Sequence, residues 1–276
     1  MPLPVTDTRP LFRPLCGEIV DLLRTLDGDD SDRPTMAGSW RVRDVVAHLL
    51  DTALRRLSFH RDGLPPPAAR PAGIGRDLVA FINQLNASWI RAAERLSPRV
   101  LTDLYAHAST ELADFVETLN PDAAAIFPVS WTGEPRSPQW LDIGREFTEV
   151  WHHGSQIRES VGATFSDARW LRAVLQIALH VLPHAYRDVP GPPGASVAIR
   201  ITGGASGTWT LRSRDRGWDV DEGDLVEPTA TATMSDEVAW RLLFNALSMP
   251  QAETLVRLGG DTVLALPLLR ARSVIV

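Results

Sequence analysis

Glu149 and His153 stand four residues apart in the segment that runs from Arg145 to Arg158. On an α-helix that interval places two side chains on one face, so a carboxylate and an imidazole here can converge on one cation. His48, far upstream, supplies a third ligand of matching type from another helix. Three protein ligands leave a coordination position open, which suits a catalytic metal better than a structural one. Taken alone, a Glu and a His at this interval are more often an ordinary helix pair, and the third histidine is what lifts the reading.

The neighbours of these residues sharpen the expectation. Asp44, one turn before His48, could accept the second imidazole N–H and fix its tautomer; its competing role is a negative charge at a helix start. His152 is adjacent to His153 but points about 100° away around the helix, so the two are not equivalent ligands. His180 and His184 repeat the interval of four and form a rival pair, weakened by Pro183 between them. His60 and His107 read as solvated histidines on exposed helical faces.

Long helices must position these groups. The apolar period predicts helices over 13–26, 42–62, 75–96, 98–119 and 138–161, the last ending at Gly162, and a further helix over 167–181. The proline-rich run 63–73 must be an extended connection, and 121–138 a crossing loop. Several long helices with one long crossover suggest a bundle, whose facing helices can carry a metal site. Prolines and glycines cluster at 183–194, a candidate boundary between a helical domain over 1–182 and a smaller one over 195–276. Beyond it, alternating segments at 195–202, 207–213 and 229–234 read as an antiparallel sheet, followed by helices over 236–245 and 250–258. The fold class is therefore α+β.

Composition removes several functions. With 276 residues and net charge −6, the chain lacks the basic surface that nucleic-acid binding needs. No apolar run reaches the roughly 18–20 residues of a membrane span, and no leader segment is evident at the N-terminus, so the expected location is the cytoplasm. All 28 basic residues are arginine, which excludes a lysine Schiff base and a Walker-type phosphate loop. Cys16 is the single cysteine, so the chain forms no internal disulfide or thiolate cluster, and Cys16 itself reads as a small buried helix residue.

The pattern Trp40, Asp44, His48, followed about a hundred residues later by Thr148-Glu-Val-Trp-His-His-Gly154 and Ile157, resembles the mycothiol-dependent maleylpyruvate isomerase group of the DinB-like superfamily. That resemblance implies an N-terminal four-helix bundle holding a divalent metal, typically zinc, and a smaller C-terminal α+β domain shaped like sterol-carrier proteins. It carries the ligands over to His48, Glu149 and His153. It also implies a co-substrate, mycothiol or another low-molecular-weight thiol, whose thiolate the metal presents to a small electrophile such as an unsaturated dicarboxylate, in an isomerase or an S-transferase. Two positions depart from the group's usual pattern. The continuation His-Gly-Trp-Asp is here His153-Gly-Ser-Gln156, a neutral amide that cannot act as a base, and Arg41 stands where a helix-capping hydroxyl residue is common.

Arginine is the natural partner of a substrate carboxylate. Arg145 and Arg241 are the candidates, and Arg241 is favoured because the resemblance implies a functional arginine in the C-terminal domain. Two other readings stay open: a DinB-like metal-dependent hydrolase that needs no thiol, and a non-catalytic protein that holds a small ligand. The chain is expected to be a monomer or homodimer with no membrane or nucleic-acid partner.

Overall fold

The computed structural model describes residues 3–67, 76–164, 168–215 and 217–274. Part of the proline-rich connection predicted at 63–73, and the first residue of each helix predicted from 75 and from 167, fall outside them. By contacts the chain divides into two compact units, Asp7–Ile126 with Pro138–Ser166, and Met1–Thr6 with Phe127–Ser137 and Asp167–Val276. The helix expected over 167–181 thus groups with the C-terminal part, although a boundary was expected after 182.

Five long helices form the first unit: Arg9–Thr25, Val42–Arg56, Arg76–Ala93, Pro98–Thr118 and Gln139–Val161. Four of them close a bundle. Arg9–Thr25 and Val42–Arg56 each pack against both Pro98–Thr118 and Gln139–Val161, while Arg76–Ala93 lies along Val42–Arg56. The amphipathic period explains the packing: Phe12, Leu15, Ile19 and Leu23 form one buried stripe, and Val42, Val45, Val46, Leu49 and Leu50 another. The outer helix is tied down by polar contacts, with the Trp89 indole N–H donating to the carbonyl of Ala47 at 2.8 Å and Arg55 to the Asn86 side chain at 3.2 Å. Ser97 accepts from the Val100 N–H and Pro98 occupies the first turn of its helix, both common helix-start devices. Gly162, with φ of 72°, ends the Gln139–Val161 helix as its sequence suggests.

The Val42 helix is shorter than the expected 42–62. Its α-helical part stops at Arg56, and Leu57–Arg61 form one wider π turn, closed by the Asp62 N–H on the Leu57 carbonyl at 3.0 Å. The apolar period cannot distinguish such a turn from a continuing α-helix.

The second unit contains the helix Ala168–Ala178, continued by short helical turns to Ala185, and a five-stranded sheet. Its strands are β1 Ser196–Thr202, β2 Gly207–Arg214, β3 Gly217–Glu222, β4 Ala230–Ser235 and β5 Arg257–Gly260, in the order β3-β2-β1-β4-β5. The sheet is mixed, which corrects the antiparallel expectation: β4 runs parallel to β1, from Val197 opposite Ala230 to Thr202 opposite Ser235. Alternation along a strand reports which face is buried and carries no information on direction. The helices Asp236–Leu243 and Met249–Leu255 follow, and 257–258, expected to be helical, belong instead to β5. Tyr186 is fully buried here and its hydroxyl donates to the Leu264 carbonyl at 3.1 Å.

Candidate metal centre

The helix of His48 begins at Arg41, and Asp44 is spent on that beginning. Its carboxylate accepts the backbone N–H of Arg41 at 2.9 Å and pairs with the Arg41 guanidinium at 3.3 Å. This overturns the expectation that Asp44 orients His48: the free N–H groups of the first turn lie closer to a carboxylate at this position than the imidazole does. Among the described residues His48 Nδ1 has no hydrogen-bond partner. Instead the ring is held by packing. Trp40 lies with its centroid 5.1 Å from that of His48 and 6.3 Å from that of His153, and the two imidazoles meet edge to face at 4.6 Å.

Bundle packing brings the expected third ligand into place. His48 Nε2 lies 3.4 Å from Glu149 Oε1, and His153 Nε2 lies 3.3 Å from the same oxygen. One ligand atom from each residue falls within 4.8 Å of the other two, and among the described residues this is the one cluster of three such groups. Both imidazoles are buried, whereas about 30% of the Glu149 side chain remains exposed, leaving an approach from solvent.

The donor set fits a small divalent cation. Bonds of about 2.0–2.2 Å to a tetrahedral ion separate adjacent ligand atoms by about 3.3–3.6 Å, which spans both observed distances. Burial pushes the His48 imidazolium down to about 4, with the Glu149 hydrogen bond only partly offsetting it, so the ring is neutral near pH 7 and has a lone pair to give. Burial acts on Glu149 in the opposite sense, but the neighbouring His153 and His48 outweigh it and hold the carboxyl well below the usual range. The site therefore offers two imidazole nitrogens and one carboxylate.

Gln156 is a feature that the sequence reading registered only as a missing carboxylate. Its Oε1 lies 2.7 Å from His153 Nδ1 and its Nε2 lies 2.9 Å from His152 Nε2. The amide thus joins the two adjacent histidines, and its placement three residues after one and four after the other was the available signal.

A second polar cluster sits one helical turn earlier. Arg56 donates to Asp142 at 2.8 Å and to Glu146 at 3.1 Å, and Arg145 pairs with the same two carboxylates at 3.0 and 2.5 Å. Arg145, a candidate for a substrate carboxylate, is thus already engaged by two anions. Arg241 lies in the second unit, paired with Glu237 at 2.7 Å and stacked on Trp240 at 4.6 Å. His180 and His184 belong to the second unit too, in successive helical turns, and His184 lies against Gly133. His107 is exposed as expected, but His60, within the π turn, is half-buried, edge to face with Phe115 at 4.9 Å. Cys16 is buried and its thiol is pushed up to about 12 by burial, consistent with a packing role.

An α+β chain with an N-terminal helical bundle, carrying a His–Glu–His cluster on two facing helices, is the class that this fold and site define. Residues 12–158 match the family model described as the mycothiol maleylpyruvate isomerase N-terminal domain, more than half of the chain, and the chain belongs to that family. Two crystal structures are similar over almost the whole length. That of the mycothiol-dependent maleylpyruvate isomerase is 13% identical with a TM-score of 0.54, covering 87% of this chain and 88% of its own. That of a point mutant of mycothiol-dependent maleylpyruvate isomerase is 12% identical with a TM-score of 0.55, covering 93% of each. At such identities the likeness is one of fold. Sterol carrier protein 2 like 2 from Aedes aegypti aligns with 37% of this chain at 18% identity and a TM-score of 0.30, too low to bear on the fold. No curated protein matches the sequence.

Proposed function

We propose that this chain is a divalent-metal, thiol-dependent enzyme of the maleylpyruvate isomerase type, acting on a small electrophile. One observation carries the reading: two buried imidazole nitrogens and a carboxylate oxygen converge at ligand-to-ligand distances, from helices that the bundle holds rigidly. His48, Glu149 and His153 would hold the metal, with zinc the best match to two nitrogens and one oxygen. Bound there, the ion would lower the pKa of a thiol co-substrate such as mycothiol and so supply a thiolate near neutral pH.

The chain's own residues account for the rest of the site. Burial keeps His48 neutral and able to donate its lone pair. Trp40 packs beside both imidazoles, and the exposed part of Glu149 marks the side from which thiol and substrate would enter. Attack of thiolate sulfur on a conjugated carbon turns the double bond into a single bond, which can rotate; expulsion of the same thiolate restores the double bond in the other geometry. Retention of the adduct would make the reaction an S-transfer instead. Arg241 is the proposed partner for a carboxylate on the substrate, such as an unsaturated dicarboxylate.

No helix of the described residues is long and apolar enough to cross a membrane, in keeping with a proposed cytoplasmic location. The test is elemental analysis of protein purified without chelators, followed by turnover assays with and without thiol. About one zinc per chain and product only with added thiol are expected. Product without thiol would replace the reading by a metal-dependent hydrolase, and absence of metal by a ligand-binding protein.

A further inference from the structure

The Gln156 amide has one end that only accepts and one that only donates. Its oxygen faces His153 Nδ1 at 2.7 Å, and in that orientation it favours a proton on that nitrogen; its nitrogen faces His152 Nε2 at 2.9 Å and favours a lone pair there. A neutral His153 protonated at Nδ1 has its lone pair on Nε2, the atom 3.3 Å from Glu149 Oε1. Turning the amide by 180° would invert every role. His152 would donate, His153 Nδ1 would accept, and a His153 Nε2–H would point at Glu149, closing the cluster with a hydrogen bond where a cation would otherwise sit.

We propose that His152 and Gln156 are positioning residues that select the metal-binding tautomer of His153 and thereby set metal affinity. The proposal rests on the metal reading of the preceding subsection and adds to it two residues that touch neither metal nor substrate. Three observations support it. Gln156 and His152 are both buried, so little water competes for the amide. The two contacts lie at ordinary hydrogen-bond lengths on one helix, where rotation of the amide is the one cheap rearrangement. His48, by contrast, has no partner at Nδ1 among the described residues, so tautomer control is concentrated on His153. A carboxylate at position 156 would accept from His153 in either orientation and would need no second histidine; the amide is directional and does.

The test reads tautomers directly. Nitrogen NMR of metal-free protein, with His153 assigned through His153→Ala, is expected to show His153 protonated at Nδ1 and His152 bare at Nε2. Gln156→Leu removes both contacts and is expected to lower zinc affinity about 10–100-fold by chelator competition, the usual cost of losing such a partner, and to release the tautomer preference. Gln156→Glu keeps the acceptor and is expected to preserve the His153 tautomer and most of the affinity, also serving should the leucine variant misfold. Unchanged tautomer and zinc affinity in folded Gln156→Leu would overturn the proposal, as would His153 protonated at Nε2 in the wild type. A wild type that binds no zinc while His153 keeps its Nδ1 proton would overturn the metal reading and the affinity half of the proposal, leaving tautomer selection in place.

Discussion

Two buried polar clusters share the Gln139–Val161 helix, and they differ in what fills their centres. The first joins Asp142 and Glu146 to Arg56 and Arg145, two carboxylates met by two guanidinium groups. The second sets one carboxylate, Glu149, against the Nε2 atoms of two imidazoles, and among the described residues no arginine hydrogen-bonds to it. Burial and acidic residues are common to both. The first is closed in charge by the protein itself, whereas the second gathers three groups of metal-ligand type around one point with no guanidinium among the described residues hydrogen-bonded to its carboxylate. The presence of a guanidinium, more than the count of titratable groups, separates an internal ion network from a metal centre.

The strongest way to break this contrast is to remove a donor from the second cluster. His48→Ala, Glu149→Ala or His153→Ala is expected to take metal content from about one ion per chain to background in elemental analysis, with circular dichroism unchanged. Retention of full metal content would end the assignment. In the first cluster, Arg56→Met leaves two buried carboxylates to Arg145 alone and is expected to cost up to about 3–5 kcal/mol in urea unfolding, with metal content preserved in the folded fraction.

Metal removal should separate the two clusters again by a smaller amount. With zinc held a hundredfold above its dissociation constant, the holoprotein should gain about 2.7 kcal/mol over chelator-treated protein. Arg56→Met should keep that increment, and its loss there would mean that the clusters are coupled. The smallest effect concerns acid. Burial raises the Asp142 carboxyl, but Arg56 and Arg145 outweigh it and leave it below the ordinary value. A carboxyl depressed in the folded state stabilises fully above its unfolded value, about pH 4, and loses that contribution as pH falls through its folded value. Metal-free wild type should therefore lose more stability than metal-free Arg56→Met between about pH 5 and pH 3; parallel curves would assign the acid sensitivity elsewhere.

Much of this was legible in the sequence because helix period and the interval of four are local properties. The Val42 and Gln139 helices, the left-handed end at Gly162 and the pairing of Glu149 with His153 on one helical face follow from local spacing, whereas His48 joins them as a candidate through type and family resemblance. Interactions that depend on which way a side chain turns were not. Asp44 sits one turn from His48, yet it satisfies the helix start; Gln156 reads as a lost carboxylate, yet it links two histidines. β3 alternates Trp218 and Val220 with acidic residues, but its short polar stretch has little apolar weight, and β5, with two glycines in four residues, is defined by backbone pairing to β4. The parallel pairing of β1 and β4 is set by the path between strands, which residue alternation does not encode.

The π turn at Leu57–Arg61 makes the chain's length negotiable at one place. A π turn holds one residue more than the α-helix it interrupts, so it is the natural trace of a single-residue insertion. Deleting Ser58 would return the segment to α-helical register by removing the one residue the widened turn accommodates, and leave Arg56 and His48 where they are, because both precede the turn. Homologous chains that differ by one residue here could share both buried clusters unchanged, with the difference absorbed within the turn itself.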